Sequence, residues 1–198
     1  MKRIFTNSEE IILASGSPRR QAYLTEMGLF FRVVPAFIEE KRSLSETPVH
    51  YIERLALEKA LCVAEQYPDS WIVAADTVVC QDDMLLEKPV DKGAAVKMLM
   101  ILSGREHIVR TSLCLHNSNQ SVTKIRSVST RVVFWDFTEN MAKSYVASGE
   151  PMDKAGSYGI QGIGACLVRE IHGSYSNVVG LPLCEFVEML SQCKLIKK

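Results

Sequence analysis

The sequence predicts an α/β protein built on a mixed, elongated β-sheet flanked by helices, and three observations lead there. Apolar runs of strand length alternate with segments of helical spacing along the whole chain. One run, Trp71 to Cys80, is apolar on both faces and interrupted only by Asp76 and Thr77, as a central strand covered on both sides would be. Two β-rich segments, His107 to His116 and Val122 to Phe134, follow one another across the polar turn Asn117-Ser118-Asn119. They read as an antiparallel pair, so the sheet is mixed rather than wholly parallel.

Each element has a local reason. Ile11-Ile12-Leu13-Ala14 is a short strand that ends in Ser15-Gly16-Ser17, and Pro18 stands where a first helical position would be, with Ser17 as N-cap. That helix runs to Met27 and stops at Gly28. Phe30 to Pro35 forms a second strand leading into the acidic loop Ile38-Glu39-Glu40. Thr47-Pro48 opens the next helix, lasting to about Gln66. Past the central strand, Gln81-Asp82-Asp83 is a turn, and the chain returns through Leu85-Leu86 to Glu87-Lys88-Pro89. Asp91 caps a helix ending near Gly104. Thr138 caps another that ends at Gly149, and a glycine-rich stretch from Gly156 to Gly164 separates it from a strand at Ala165 to Ile171. Pro182 starts the last helix.

A chain of 198 residues, 47% hydrophobic, is long enough to bury a core as one domain or two small lobes. With no internal repeat, low-complexity stretch or flexible linker, residues 1–198 read as a single domain. Lys+Arg and Asp+Glu both number 23, so no overall positive field exists to hold nucleic acid or an anionic membrane, and neither is an expected partner. Any anion site must be local. The six cysteines include no C-x-x-C pair, and most sit in apolar stretches where a thiol behaves as a small hydrophobe, which fits a reducing compartment. No apolar run approaches the roughly 20 residues that span a bilayer. The N-terminus lacks the charged-then-apolar pattern of a signal peptide, so a cytoplasmic location is expected.

Several residues sit where elementary physical chemistry disfavours them. Arg19 and Arg20 occupy the first turn of a helix, where the macrodipole already presents positive charge. A phosphate chain would compensate, because free backbone amides, the Ser15 and Ser17 hydroxyls and two guanidinium forks converge there; the alternative is a pair of solvated surface arginines. An ionised Asp76 in an apolar strand is costly unless a cation or donors meet it, so it is a metal ligand, a general base or the edge of the buried stretch. Thr77 beside it faces the other way or marks the strand's end. Lys59 shares a helical face with Ile52, Leu55, Ala60 and Val63, as a phosphate ligand or as a lysine snorkelling along its stem. Lys88, before Pro89, is a phosphate ligand or a plain turn lysine. A hard cation takes one or two carboxylates plus phosphate oxygens, for which Glu40 with Asp76 would suffice if they meet. The four histidines match no zinc spacing. The chain also carries no P-loop, dinucleotide fingerprint or nucleophile elbow, which removes the usual support for kinase, oxidoreductase and α/β-hydrolase chemistry.

Taken together, these segments resemble the Maf family along nearly the whole chain. The resemblance rests on Ser15-Gly16-Ser17-Pro18-Arg19-Arg20, Glu58-Lys59-Ala60, Ala74-Ala75-Asp76-Thr77-Val78-Val79 and Glu87-Lys88-Pro89. It continues through Leu102-Ser103-Gly104 with His107, Gly149-Glu150-Pro151 with Asp153 to Gly156, Tyr158-Gly159-Ile160-Gln161-Gly162, and Val178 to Pro182. What it implies is a house-cleaning nucleotide pyrophosphatase on a Maf/ITPase-like fold, with two lobes about a central cleft and a homodimer as the usual assembly. The family's catalytic aspartate falls on Asp76, and its essential polar set on Ser15, Arg20, Glu40, Lys59, Lys88 and Gln161. The positions tied to base choice fall on Arg19, Thr77 and Gln161. Tyr158 to Gly162 looks like the branch acting on dTTP and UTP.

The expected reaction cuts between the α- and β-phosphates with an in-line water, so positioning and electrostatics dominate. Asp76 would activate the water or hold a divalent cation (Mg²⁺, Mn²⁺ or Co²⁺) shared with Glu40, while Arg20, Lys59 and Lys88 neutralise the triphosphate and Ser15 orients it. The amide of Gln161 can pair with the O4/N3 edge of uracil or thymine, with Arg19 or Thr77 as the second fixed group. Two rival readings are a nucleotide-binding regulator of septum formation without significant turnover, and a hydrolase releasing orthophosphate from the γ-position.

Overall fold

The computed structural model describes residues 4–197 apart from Leu44 and Asp83. In chain order the strands are β1 (Thr6–Asn7), β2 (Ile11–Leu13), β3 (Phe31–Val33), β4 (Trp71–Gln81), β5 (Met84–Leu86), β6 (Glu106–Asn117), β7 (Val122–Phe134), β8 (Val168–His172) and β9 (Ile196–Lys197). The α-helices are α1 (Pro18–Glu26), α2 (Pro48–Ala64), α3 (Lys92–Leu102), α4 (Glu139–Ala147), α5 (Tyr175–Val179) and α6 (Leu183–Gln192). The main sheet has seven strands in the order β3-β2-β4-β6-β7-β8, with β5 also paired to β4. β2 runs parallel to β3 and to β4, whereas β5 is antiparallel to β4 and β8 to β7. The sheet is therefore mixed, as the hairpin pattern required.

The chain divides into two compact units: Met1–Asp76 with Thr111–Ser127 and Gly180–Lys198, and Thr77–Arg110 with Val128–Val179.

In the first unit, β2 pairs with β4 from Ile11↔Trp71 to Leu13↔Val73, and Ala14 N–H extends the ladder to Val73 O at 2.8 Å. One face of these strands presents Ile12, Ala14, Ile72 and Ala74, and α2 packs on it through Ala56, Ala60, Val63 and Ala64, all nearly fully buried. Each apolar side chain of Val or Ile size buried there contributes about 2 kcal/mol. α2 starts where expected: Pro48 takes the first turn and the Thr47 hydroxyl accepts the His50 amide. β1 and β9 form a separate two-stranded pair, each too short to leave an alternation in the sequence.

In the second unit, Asp91 caps α3 by accepting the Ala94 amide at 2.7 Å, and Thr138 caps α4 through Met141 N–H. α3 and α4 pack on each other. Phe134, Phe137, His107 and Tyr158 form an edge-to-face and tilted aromatic cluster. Asn177 on the five-residue α5 is fully buried, and its amide donates to Val109 O and Thr130 Oγ1, both at 3.0 Å.

Four expectations need correction. The strand placed at Ala165 to Ile171 begins only at Val168, because Ile163–Leu167 is a 3-10 turn whose apolar residues mimic a strand in sequence. α5 falls in a stretch with no helical stripe, so the sequence does not predict it. Ser17 holds the N-cap position of α1, but its side chain makes no capping bond. Only Cys80 and Cys114 of the six free cysteines are buried, while Cys166 and Cys184 are exposed. Of the turn at Gln81-Asp82-Asp83, Asp83 lies outside the described residues; Asp82 has the left-handed φ of 52° that suits a turn aspartate. Among the described residues no helix is long and apolar enough to cross a membrane.

Candidate active site

The period of two along β4 puts Asp76 on the same face as Ile72 and Ala74, beneath α2, and three residues past the last pair with β2. Loops at the carboxyl ends of parallel strands are where α/β sheets carry ligand sites. Helical spacing places Lys59 on the stripe of Ile52, Leu55, Ala60 and Val63, all of which are buried. The two side chains meet: Lys59 Nζ donates to Asp76 Oδ1 at 2.5 Å and reaches Glu40 Oε1 at 2.7 Å. The Lys59 and Asp76 side chains are each 12% exposed, Glu40 48%.

Magnitudes decide what this cluster is for. Taking an ammonium and a carboxylate out of water costs several kcal/mol for each ion, and their attraction offsets this only partly. An apolar residue at either position would have contributed about 2 kcal/mol instead. A folding argument alone would put Leu at residue 59 and Val at residue 76, so the pair points to chemistry. Burial pushes the Asp76 carboxyl above its ordinary range, against the opposing pull of Lys59 and Arg20; Glu40 adds to the rise.

β2 leads straight into the second cationic group. Ser15 is buried, and its Oγ accepts from the Ser17 amide at 3.2 Å and from Arg20 Nη1 at 3.0 Å. Arg20 Nε donates to Gly180 O at 2.8 Å, so the chain entering α6 fixes the guanidinium from the other side. Burial lowers the Arg20 pKa, while Asp76 and Glu40 raise it. Arg20 is thus close enough to both carboxylates to feel them. No acidic residue lies in the first turn of α1, and its positive N-terminus coincides with the Arg19-Arg20 pair.

The loop that carries Glu40 is held by residues the sequence did not single out. Arg54 on α2 donates to both Glu46 carboxylate oxygens at 2.8 and 2.9 Å, to the Lys41 carbonyl and to Glu58. Tyr51 OH donates to the Glu40 carbonyl at 3.4 Å. The i,i+4 spacing of Arg54 and Glu58 was visible, but the partner that matters, Glu46, lies across the loop.

The sequence-derived candidates therefore divide. Ser15, Arg20, Glu40, Lys59 and Asp76 come together in the first unit. Arg19 is half-buried at the start of α1. Thr77, Lys88 and Gln161 belong to the second unit: Thr77 is the one partly exposed residue of β4, Lys88 is exposed after β5, and Gln161 is exposed in a glycine-rich loop.

For a divalent cation the relevant test is the donor set. Asp76 and Glu40 each place a carboxylate oxygen within 2.7 Å of one ammonium nitrogen, so two hard oxygen donors already share a cationic position. That suits an ion which takes one or two carboxylates and completes its shell with phosphate and water. Among the described residues no group of three or more His, Cys, Asp or Glu forms an all-protein cage.

The sequence model of the family described as "Maf-like protein" matches residues 10–193. A protein of Desulfotalea psychrophila named dTTP/UTP pyrophosphatase is 51% identical over 180 residues, 91% of this chain and 92% of that one. Proteins of the same name from Nitratidesulfovibrio vulgaris and Salmonella typhimurium are 47% and 46% identical, covering 94% of this chain and 89% and 94% of their own.

Proposed function

Because this chain belongs to the Maf-like protein family, we propose that it hydrolyses dTTP and UTP to the nucleoside monophosphate and pyrophosphate. The observation that supports this most is Lys59 set between the buried Asp76 and the exposed Glu40, with Arg20 anchored on Ser15 and Gly180 beside it. Two cationic groups against two carboxylates, set at the ends of parallel strands, match what polyphosphate hydrolysis needs: charge neutralisation on phosphate oxygens and a base for water.

Asp76, held above its ordinary pKa by burial, takes the proton of the attacking water. Lys59 holds the carboxylate in place and, together with Arg20, neutralises charge that develops on the phosphates. Ser15 Oγ fixes the fork of Arg20 and so the direction of its remaining N–H groups. Asp76 and Glu40 would hold a divalent cation, which when bound polarises a phosphoryl oxygen. Lys88 is assigned to the phosphates, and Arg19, Thr77 and Gln161 to the base, on the strength of the motifs that carry them. The reading includes a homodimer, on the family resemblance, and a cytoplasmic location, on the cysteine pattern that fits a reducing compartment.

The test is product identification with a nucleotide panel. Incubation with dTTP, UTP, dCTP and dGTP plus Mg²⁺, Mn²⁺ or Co²⁺ should release pyrophosphate and monophosphate, fastest from dTTP and UTP. Orthophosphate as first product would replace the reading with γ-phosphate hydrolysis. Tight nucleotide binding without turnover would replace it with a regulatory role.

A further inference from the structure

Glu150 begins a 3-10 turn, Glu150–Asp153, directly after α4, and its carboxylate is directed at a neighbouring loop. Oε1 accepts from Tyr145 OH at 2.8 Å and from the Gly164 amide at 3.0 Å, while Oε2 accepts from the Ile163 amide at 2.8 Å. The Tyr145 hydroxyl in turn accepts the Gly159 amide at 3.0 Å. Both ends of the loop from residue 159 to 164 are therefore tied to one pair of side chains, and Gln161 stands exposed between them. Lys154 fixes the turn itself, donating to the Glu150 carbonyl at 2.6 Å.

The glycines of this loop are set by space. A Cβ at Gly162 would run into the Glu150 carboxylate, and one at Gly164 into the Tyr145 hydroxyl and, at 2.7 Å, Gly159 O. One at Gly159 would lie 2.8 Å from Lys154 Cε. The glycine-rich stretch is a clamped loop with the carboxylate packed into it. Burial alone would push the Glu150 carboxyl up, but the Gly164 amide, Tyr145, the Ile163 amide and Lys154 outweigh it and hold it below its ordinary value.

We propose that Glu150 is a positioning residue for base recognition: through the amides of Ile163 and Gly164 and the Tyr145 hydroxyl, it sets where the loop presents the Gln161 amide. This rests on Gln161 reading the pyrimidine under the proposed function. A side-chain amide offers a donor and an acceptor that can exchange places, so a base-reading glutamine selects only if its backbone is held. Three glycines in six residues would leave that backbone mobile without the clamp.

The experiment is steady-state kinetics with dTTP and dCTP on Glu150→Ala, Tyr145→Phe, Gln161→Ala and the double variant Glu150→Ala/Gln161→Ala. Glu150→Ala should raise KM for dTTP on the order of tenfold and narrow the dTTP over dCTP preference in kcat/KM, while kcat stays within about threefold. Tyr145→Phe should shift both in the same direction, and carries the test if Glu150→Ala does not fold. In the double variant the Glu150 change should add nothing to Gln161→Ala. The inference alone is overturned if Gln161→Ala is effective but Glu150→Ala is silent, acts on kcat with KM unchanged, or multiplies with Gln161→Ala. If Gln161→Ala itself leaves KM and preference at wild-type values, the base-reading role of Gln161 falls and this inference with it.

Discussion

Lys59 Nζ lies 2.5 Å from Asp76 Oδ1 and ties the buried stripe of α2 to the inner face of β4. If that carboxylate works on water, Asp76→Asn should abolish pyrophosphate release while leaving the fold intact, since asparagine keeps the shape and loses the base. Pyrophosphate assays beside circular dichroism check both halves, and wild-type turnover in the variant would remove Asp76 from its role.

Lys59→Met tests the other partner. Methionine fills the space of the lysine stem but removes the ammonium between Asp76 and Glu40, leaving Arg20 to balance both, so activity should fall on the order of a hundredfold or more. Stability at pH 7 should drop by about 3 kcal/mol, the usual cost of removing one member of a buried pair. The sign of the pH dependence follows from the raised Asp76 pKa, which Lys59 opposes in the wild type and methionine does not. The folded state takes up the proton first, so the deficit should shrink as pH falls towards the folded pKa. Urea unfolding at pH 7 and pH 5 measures it; a deficit that grows in acid would contradict the assignment.

Arg20 donates to Ser15 Oγ and Gly180 O through different nitrogens of one planar fork. A lysine cannot span both with one ammonium, so Arg20→Lys should lower kcat/KM for dTTP on the order of a hundredfold despite its unchanged charge. Ser15→Ala removes one anchor only and should cost about tenfold, mainly in KM. Equal activity of Arg20→Lys and wild type would show that charge alone matters there.

How much of this could be read beforehand depended on how far the signal lay from its residue. Asp76 and Lys59 were legible because each is a charge on an apolar stripe, a conflict visible in one strand or one helix. That they meet each other and Glu40 was not, because spacing within elements carries no information about which elements touch. The mixed sheet followed from the double-sided apolarity of Trp71 to Cys80 and the hairpin after it. Glu150 was hidden for a different reason: its partners are backbone amides of a loop whose glycines look like flexibility until the space around them is known. Arg54 showed its helical partner Glu58, but not Glu46, which pins the Glu40 loop.

His107 is 1% exposed among Phe134 and Tyr158, with Nε2 bonded to Tyr158 OH at 2.8 Å, and burial lowers its pKa to about 4. Against an ordinary value of 6.5, the unfolded chain takes up the proton first, so stability is complete above pH 6.5 and is lost as pH falls to about 4. A gap of this size corresponds to roughly 3 kcal/mol. His116, also lowered by burial, acts in the same direction. In His107→Gln the loss of stability between pH 7 and 4.5 should therefore be smaller than in wild type by a large part of that amount, whatever the variant's stability at pH 7. Urea midpoints across that range decide it, and parallel profiles would show that His107 is not the group responsible.

Gly149 and Gly156 separate two costs that are usually confounded. Both adopt left-handed backbone, with φ of 80° and 67°, but a Cβ at Gly149 would meet nothing within 4 Å, whereas one at Gly156 would meet three Val79 atoms at 2.8–3.0 Å. Gly149→Ala should thus cost only the backbone conformation, about 1 kcal/mol. Gly156→Ala bears that cost and must also displace a β-branched core side chain of β4, which adds about 1–3 kcal/mol because the Val79 Cβ is itself in contact and no rotamer change moves it away. Val79→Ala removes the two obstructing γ-methyl groups and keeps only Cβ, so the Gly156→Ala penalty measured in a Val79→Ala background should fall part of the way towards that of Gly149→Ala. If the penalty were the same in both backgrounds, the Val79 methyl groups would not be what requires the glycine.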